Sequence, residues 1–200
     1  MQRVCVLYED QRGPGQGFGL HELAKACVSD AFPATEHPHI KEALGDCRPQ
    51  KGDGNLLKAC REDLDGIAND GRPVVAVFDN DKIRRLLQLS AKAPDARVEQ
   101  EIRKGGPKSD RLFIILLKQN MESVLKAAHE CDPSIDPERI KLATQKKDRL
   151  ERDAILNRLT GEQYRAVRDC ILGKLPSFRA FVDLLRHQFQ SPARTRKKKR

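Results

Sequence analysis

Three apolar segments in the first part of the chain are separated by stretches with helical periodicity. The apolar segments are residues 3–8 (RVCVLY), 73–78 (PVVAVF) and 111–118 (RLFIILLK). Apolar runs of this kind are typical of strands covered on both faces of a parallel sheet. Residues 20–32 and 53–69 and the segment after Asn120 have the spacing of amphipathic helices. The pattern predicts an α/β domain over residues 1–132, with a mainly parallel central sheet flanked by helices.

The three apolar segments should lie next to one another in this sheet. A fourth strand is harder to place, because residues 34–50 are poorly periodic and Ile40–Leu44 fits either a second strand or a helical turn. The residues that we expect to lie side by side in adjacent strands are Cys5, Val6, Val75, Val77, Ile114 and Leu116.

Beyond Cys131 the strand-like runs disappear. Charged amphipathic stretches at about 136–159, 162–172 and 177–190 predict a helical appendage over residues 133–190, which either packs on the edge of the sheet or holds a partner. Residues 191–200 are predicted to be a disordered basic tail.

Acidic residues follow each of the three predicted strands. Glu9 and Asp10 follow the first, Asp79 and Asp81 the second, and Glu122 opens the helix after the third. In an open α/β sheet the ligand crevice lies outside the carboxyl ends of the strands, so these acids are expected to converge. On an extended backbone, side chains two residues apart point the same way and could share a divalent metal ion.

Ordinary helix chemistry offers an alternative for the same residues. Asp79 could cap the following helix, and Asp81 and Glu122 could complement the dipole in a first helical turn. Asp53, in the turn KGDGN, is likewise predicted to cap a helix.

A converging set of carboxylates favours a bound cation, because like charges repel strongly in a partly buried crevice. Oxygen ligands favour Mg²⁺ or Mn²⁺ over zinc. A carboxylate-held pair of such ions can activate water and stabilise the leaving oxygen in phosphodiester cleavage.

The net charge of +9 is concentrated at the C-terminus, leaving +3 for the residues before Arg194. Such a tail attracts phosphates without base selectivity, or it only keeps the chain soluble. The absence of Trp and the presence of only two Tyr argue against recognition by aromatic stacking. The candidate nucleic-acid-binding residues are Arg194, Arg196, Lys197, Lys198, Lys199 and Arg200.

Other candidate sites are weaker. The glycine-rich segment 11–19 (QRGPGQGFG) could cradle a phosphate, but it lacks the P-loop and dinucleotide fingerprints, which favours a flexible turn. A zinc set of His37, His39, Cys47 and Cys60 has none of the common structural spacings.

The cysteines and the hydropathy pattern bear on the location of the protein. The six cysteines contain no CxxC pair, which predicts reduced thiols in a cytoplasmic protein without disulfides. No apolar run approaches the length of a membrane span, and the N-terminus lacks the regions of a signal peptide, so we expect no membrane association.

The order of the acids resembles that of a known family. An acid after the first strand, a DxD after a later central strand and a helix-opening Glu after the next strand are similar to the topoisomerase–primase (TOPRIM) domain. The resemblance covers roughly residues 1–132 and is strongest to overcoming-lysogenization-defect nucleases and small bacterial defence proteins. It implies that Glu9, Asp79 and Asp81 bind metal, with Glu122 as a further acid.

This chain departs from that family in two respects. The family usually has Gly soon after its first Glu, whereas Asp10, Gln11 and Arg12 precede Gly13 here, so Glu9 and Asp10 compete for the first position. The ATPase domain of overcoming-lysogenization-defect proteins is absent from these residues, which implies action alone or with a separately encoded partner.

Two functions are therefore expected. The first is a metal-dependent nuclease that favours DNA over RNA. The resemblance implies a role for it in bacterial anti-phage defence. The second is a noncatalytic TOPRIM-like subunit or regulatory module that docks to a partner protein. A phosphotransferase or phosphatase with Asp79 as nucleophile is a weaker third, because the DxD does not follow the first strand.

Overall fold

Four parallel strands form one sheet in the part of the chain that the structure describes, in the spatial order β2-β1-β3-β4. The computed structural model describes residues 2–9, 19–106, 109–118, 121–144 and 148–190. The strands are β1 (Cys5–Tyr8), β2 (Asp46–Pro49), β3 (Val74–Asp79) and β4 (Leu112–Leu117). The helices are α1 (Gly19–Ser29), α2 (His37–Ala43), α3 (Asp53–Glu62), α4 (Leu64–Ile67), α5 (Asn80–Leu86), α6 (Asp95–Arg103), α7 (Met121–Cys131), α8 (Pro137–Thr144), α9 (Arg149–Arg158), α10 (Arg165–Lys174) and α11 (Pro176–Gln190), with short 3-10 turns at Ala34–Glu36 and Glu162–Tyr164.

The strand register confirms the predicted α/β architecture. Val6 lies opposite Val75 in the β1–β3 pair, and Ala76 lies opposite Ile114 in the β3–β4 pair. The three apolar segments are therefore neighbours, and all their pairings are parallel. None of the helices in the described ranges is long and apolar enough to cross a bilayer.

The fourth strand lies outside the segment for which strand and helix were both considered. Ile40 belongs to α2, and the strand β2 follows it at Asp46–Pro49. This strand has the sequence DCRP and is half-buried along its length, as expected for a short edge strand that carries charges and a proline. Such a strand has no apolar run by which it could be recognised.

Helices cover both faces of the sheet. On one face, α3, α4, α5 and α6 pack against the β-strand residues that include Leu7, Ala76 and Phe78. On the other face, α1, α2 and α7 pack against the residues that include Val6 and Val77. Each face therefore has its own hydrophobic core, as alternation along the strands requires.

Helices α8 to α11 share the second of these cores. Phe181 of α11 makes an edge-to-face ring contact with Tyr8 of β1, with centroids 6.1 Å apart. The division into an α/β domain over residues 1–132 and a helical appendage over residues 133–190 stays a prediction. The residues of these helices and of the loop before α8 that are buried with the sheet are Ile135, Ile140, Ala143, Ile155, Leu156, Leu159, Ile171, Leu172, Leu175, Phe178, Phe181, Val182 and Leu185.

The expectation that all six cysteines are reduced is wrong for one pair. Cys131, at the end of α7, and Cys170, in α10, form a disulfide with a Cα–Cα distance of 5.9 Å. The sequence offers no sign of this pairing, because the two residues are far apart in the chain and are joined by helix packing. Disulfides are uncommon in a reducing cytosol, so the cytoplasmic location stays a prediction. Among the described residues, no disulfide joins the remaining cysteines, Cys5, Cys27, Cys47 and Cys60.

Candidate acidic site at the carboxyl edge of the sheet

Glu9 and Asp79 lie at the carboxyl ends of two neighbouring strands and share a lysine. Tyr8, the last residue of β1, is paired with Val77 of β3, so the two strands end side by side. The Lys82 ammonium donates to both carboxylate oxygens of Glu9, at 3.1 and 3.0 Å, and lies 4.0 Å from Asp79 Oδ2. The structure thus brings two of the candidate acids to one cation.

Asp79 is also the N-cap of α5. Its Oδ1 atom accepts hydrogen bonds from the backbone N–H groups of Asp81 and Lys82, at 3.1 and 3.2 Å. Because the chain becomes helical at Asn80, the expectation that Asp79 and Asp81 project alike from an extended strand is wrong. Asp81 lies exposed in the first helical turn, as the capping alternative predicted.

Asp53 is a member of this site that the sequence did not indicate. It opens α3 after Gly52, so Gly52 and not Asp53 is the N-cap residue. The protonated form of its side chain donates a hydrogen bond to Glu9. Burial raises the pKa of Asp53 to about 7, with the Glu9 charge as the next cause and that of Asp79 adding to it. Three carboxylates, from Glu9, Asp53 and Asp79, therefore influence one another at the edge of the sheet.

One oxygen of Asp53 lacks a hydrogen-bond partner. The Oδ1 atom is buried, and no group in the described part of the chain donates to it. A buried acceptor without a donor is destabilising. Either a proton or a cation at this carboxylate would relieve that cost.

The position of Asp53 explains why the sequence did not point to it. It follows β2 in the turn KGDGN, as Glu9 follows β1 and Asp79 ends β3. Because β2 has no apolar run, its carboxyl end could not be located, and Asp53 appeared to be a helix cap and nothing more.

The buried Arg84 holds the segment Asp79–Asp81 in place. Arg84 donates from Nε to Asn80 Oδ1 at 3.0 Å and from Nη2 to Asp95 Oδ1 at 2.5 Å, and it also contacts the Ala93 carbonyl. Lys118, directly after β4, binds the second oxygen of Asp95 at 2.7 Å. This network links the ends of β3 and β4 and fixes the start of α5.

A histidine beneath the site is part of the core. His21 is buried and must donate from Nε2 to the Leu44 carbonyl at 2.7 Å, so Nδ1 accepts from the Tyr8 hydroxyl at 3.0 Å. Burial lowers the pKa of His21 to about 4. With both nitrogens engaged, His21 orients Tyr8 and does not serve as a base at the carboxylates.

The other candidate residues are placed differently. Glu122 lies in the first turn of α7, as the helix-dipole alternative predicted. In the described residues, no three or more His, Cys, Asp or Glu side chains are arranged to hold a metal ion. The remaining candidates lie outside the described residues. They are Asp10, most of the glycine-rich segment 11–19, and the tail residues Arg194, Arg196, Lys197, Lys198, Lys199 and Arg200.

The raised pKa of Asp53 predicts a pH-dependent stability. Its folded pKa of about 7 exceeds the ordinary 3.8, so stability that is present below pH 4 should be lost as the pH rises towards 7. The side chain is half-exposed, so solvent screening reduces the loss to about 1 to 2 kcal/mol. Chemical denaturation of Asp53→Asn from pH 4 to pH 8 should show this loss removed, whereas Asp63→Asn, at the end of α3, should follow the unmodified chain.

Comparison of the sequence and the structure with protein-family models, curated proteins and solved structures found no match.

Proposed function

We propose that this protein is a Mg²⁺- or Mn²⁺-dependent nuclease that cleaves phosphodiester bonds in nucleic acid, with DNA favoured over RNA. Glu9, Asp53 and Asp79 are the proposed metal ligands, and Asp81 lies at the rim of the site. The observation that carries this proposal is the buried Asp53 Oδ1 atom, which has no partner among the described residues and belongs to a carboxylate joined to Glu9.

The three side chains are not arranged around one metal position in the described residues, so it is their donor chemistry that supports a hard divalent cation. All three groups are carboxylates, the ligands that Mg²⁺ and Mn²⁺ prefer. One oxygen of Asp79 is held by backbone N–H groups, which fixes the orientation of the other towards Lys82. When bound, such an ion polarises a phosphoryl oxygen and lowers the pKa of a water molecule.

Lys82 gives this site a second positive charge. Its hydrogen bond to Glu9 and the surrounding carboxylate charges raise its pKa, against the opposing effect of partial burial, so it stays protonated at neutral pH. An ammonium between Glu9 and Asp79 offsets their repulsion, and it is available to donate to a phosphate oxygen that approaches the edge of the sheet.

Metal binding and cleavage can be measured together. We expect Mg²⁺ to raise the melting temperature and Mn²⁺ or Mg²⁺ to support cleavage of single-stranded or duplex DNA, with both effects abolished by EDTA. Glu9→Gln should lose both effects. Glu42→Gln, which breaks the exposed ion pair with Arg3 at 3.0 Å, is the matched control and should keep them.

A noncatalytic module that docks to a separately encoded partner is the alternative. The contact that favours it is the Lys82–Glu9 ion pair, because an ammonium already balances the carboxylates without a metal. In that case Mg²⁺ should leave the melting temperature unchanged, and no DNA or RNA substrate should be cleaved. That pair of results would contradict the nuclease proposal.

The basic tail should affect affinity more than chemistry. Deleting residues 194–200 removes six positive charges that can neutralise phosphates, so binding should weaken and its salt dependence should flatten. The cleavage rate at saturating substrate should survive, because the proposed ligands lie far from the tail in sequence. An unchanged affinity and salt slope would mean that the tail only solubilises the chain. Binding isotherms over a range of salt concentrations provide the test.

A further inference from the structure

A lysine follows the carboxyl end of every strand except β1. Lys51 comes after β2, Lys82 after β3 and Lys118 after β4, whereas Glu9 follows β1. Lys51 is exposed, and the side chains of Lys82 and Lys118 are 48% and 53% exposed. Three cationic side chains therefore stand at the same edge of the sheet as the acidic site.

The order of the strands sets the order of these charges. Because the strands run β2-β1-β3-β4, the edge presents Lys51, then Glu9, then Lys82 and finally Lys118. Neighbouring strands lie about 4.8 Å apart, so the row spans roughly 14 Å. Glu9 and Asp79 occupy its middle. At the two ends, Lys51 is followed closely by Asp53 in the chain, and Lys118 is ion-paired with Asp95 at 2.7 Å.

Backbone contacts anchor both ends of the row. The N–H of Gln50, the residue before Lys51, donates to the Tyr8 carbonyl at 2.9 Å. The N–H of Lys118 donates to Ser177 Oγ of α11 at 3.0 Å, and its ammonium is held by Asp95. The backbone at both ends of the row is therefore held to neighbouring elements.

Lys51 also has a backbone conformation that residues with a side chain rarely adopt. Its φ of 54° is left-handed, where glycine is preferred, and Gly52 follows with φ of 117°. Non-glycine residues in such conformations concentrate at ligand-binding sites. Gln88, after α5, has a similar φ of 56°, so the conformation supports a role for Lys51 only together with its place at the strand ends.

We propose that this row is a track for the phosphodiester backbone of a polynucleotide, which crosses the strand ends with phosphates on both sides of the acidic site. Lys51 and Lys118 bind the flanking phosphates, and Lys82 lies beside the central one. Lysines bind phosphates without identifying bases, so binding is independent of sequence. The track also predicts cleavage inside a polynucleotide strand in preference to attack on a mononucleotide. That prediction rests on the proposed nuclease function, whereas binding along the track is independent of it.

Binding without metal isolates the track from the chemistry. The probes are a fluorescein-labelled oligothymidylate and a labelled duplex, titrated in EDTA over a range of salt concentrations. Lys51→Gln and Lys118→Gln should each weaken binding roughly fivefold and reduce the salt slope by about 0.7 on the single strand or about 0.9 on the duplex. A loss of affinity on one probe and none on the other identifies the strandedness of the substrate.

Two lysines away from this edge are matched controls. Lys41 is exposed in α2. The end of α2 lies beside the amino end of β1, because the Val4 N–H donates to the Ala43 carbonyl. Lys104 is ion-paired with Glu101 at 3.5 Å, as Lys118 is with Asp95. Lys41→Gln and Lys104→Gln should bind both probes as the unmodified chain does. Equal losses in these controls would show a diffuse charge effect and overturn the track.

The results separate the track from the nuclease proposal. If the edge variants lose affinity while the unmodified chain cleaves nothing, the track stands and the nuclease proposal fails. Unchanged binding by both edge variants, or no binding by the unmodified chain, overturns the track whatever the cleavage assay shows.

A glycine at residue 51 gives a second, independent test. Lys51→Gly relieves the left-handed conformation, so the melting temperature should stay the same or rise while affinity falls as in Lys51→Gln. Retained affinity in this folded variant would contradict the role of Lys51.

Discussion

Replacing Arg168 with alanine should lower the free energy of unfolding by about 3 to 5 kcal/mol. This arginine of α10 is almost completely buried and binds both carboxylate oxygens of Asp30 at 2.6 Å, next to the end of α1. It also donates to the carbonyls of Leu159 and Gly161, at 2.6 and 2.7 Å. Alanine would leave a buried carboxylate without its counter-charge and would remove hydrogen bonds from two carbonyls.

The double variant distinguishes a lost partner from lost packing. Urea denaturation should show that Asp30→Leu combined with Arg168→Met is more stable than Arg168→Ala, because no unpaired charge remains. Arg3→Ala, which breaks an exposed pair with Glu42, should cost less than about 1 kcal/mol. A small effect of Arg168→Ala would mean that water reaches Asp30 and that α10 is held by its apolar contacts and by the Cys131–Cys170 disulfide.

Asp79→Asn should reduce nuclease activity by at least roughly 100-fold while the protein stays folded. The amide oxygen can still accept the N–H groups of Asp81 and Lys82, so the cap of α5 is kept while the negative charge is lost. Steady-state cleavage in Mg²⁺ or Mn²⁺ and a thermal melt of the same sample measure the two effects. Asp81→Asn, at an exposed position, should lose less activity than Asp79→Asn.

A second capping aspartate provides the control. Asp148 caps α9 in the same way, with Oδ1 accepting from Leu150 and Glu151 N–H groups at 2.9 and 3.2 Å. Asp148→Ala should cost about 1 kcal/mol of stability and leave cleavage intact. Asp79→Ala should cost less stability, or even raise the melting temperature, because it relieves repulsion with Glu9 and Asp53. If both alanine variants lose stability equally and neither loses activity, Asp79 is only a cap.

The parts of the fold that follow from hydrophobic burial were predictable. The strands β1, β3 and β4 appear as apolar runs, and their parallel adjacency follows from the helices between them. The strand β2 and the disulfide were not predictable, because an edge strand need not be apolar and because Cys131 meets Cys170 only through tertiary packing.

The site was predictable to the extent that it depends on strand ends. Glu9 and Asp79 could be placed at one edge, since each directly follows or ends an apolar run. Asp53 could not be placed there without β2, and Lys82 could not be assigned to Glu9, because the ion pair joins residues 73 positions apart. Side-chain partners of this kind depend on the register of the sheet and not on any local pattern.

The outer strand β4 has a consequence for how the chain is made. Its sequence LFIILL lies at the edge of the sheet, and its partly buried residues Phe113, Ile115 and Leu117 pack in the core to which α11 contributes. An uncharged, apolar edge strand readily pairs with copies of itself in other molecules. Because α11 is synthesised after β4, the apolar face that α11 helps to bury stays incompletely covered until α11 docks, and variants that loosen α11 should aggregate more than the unmodified chain does.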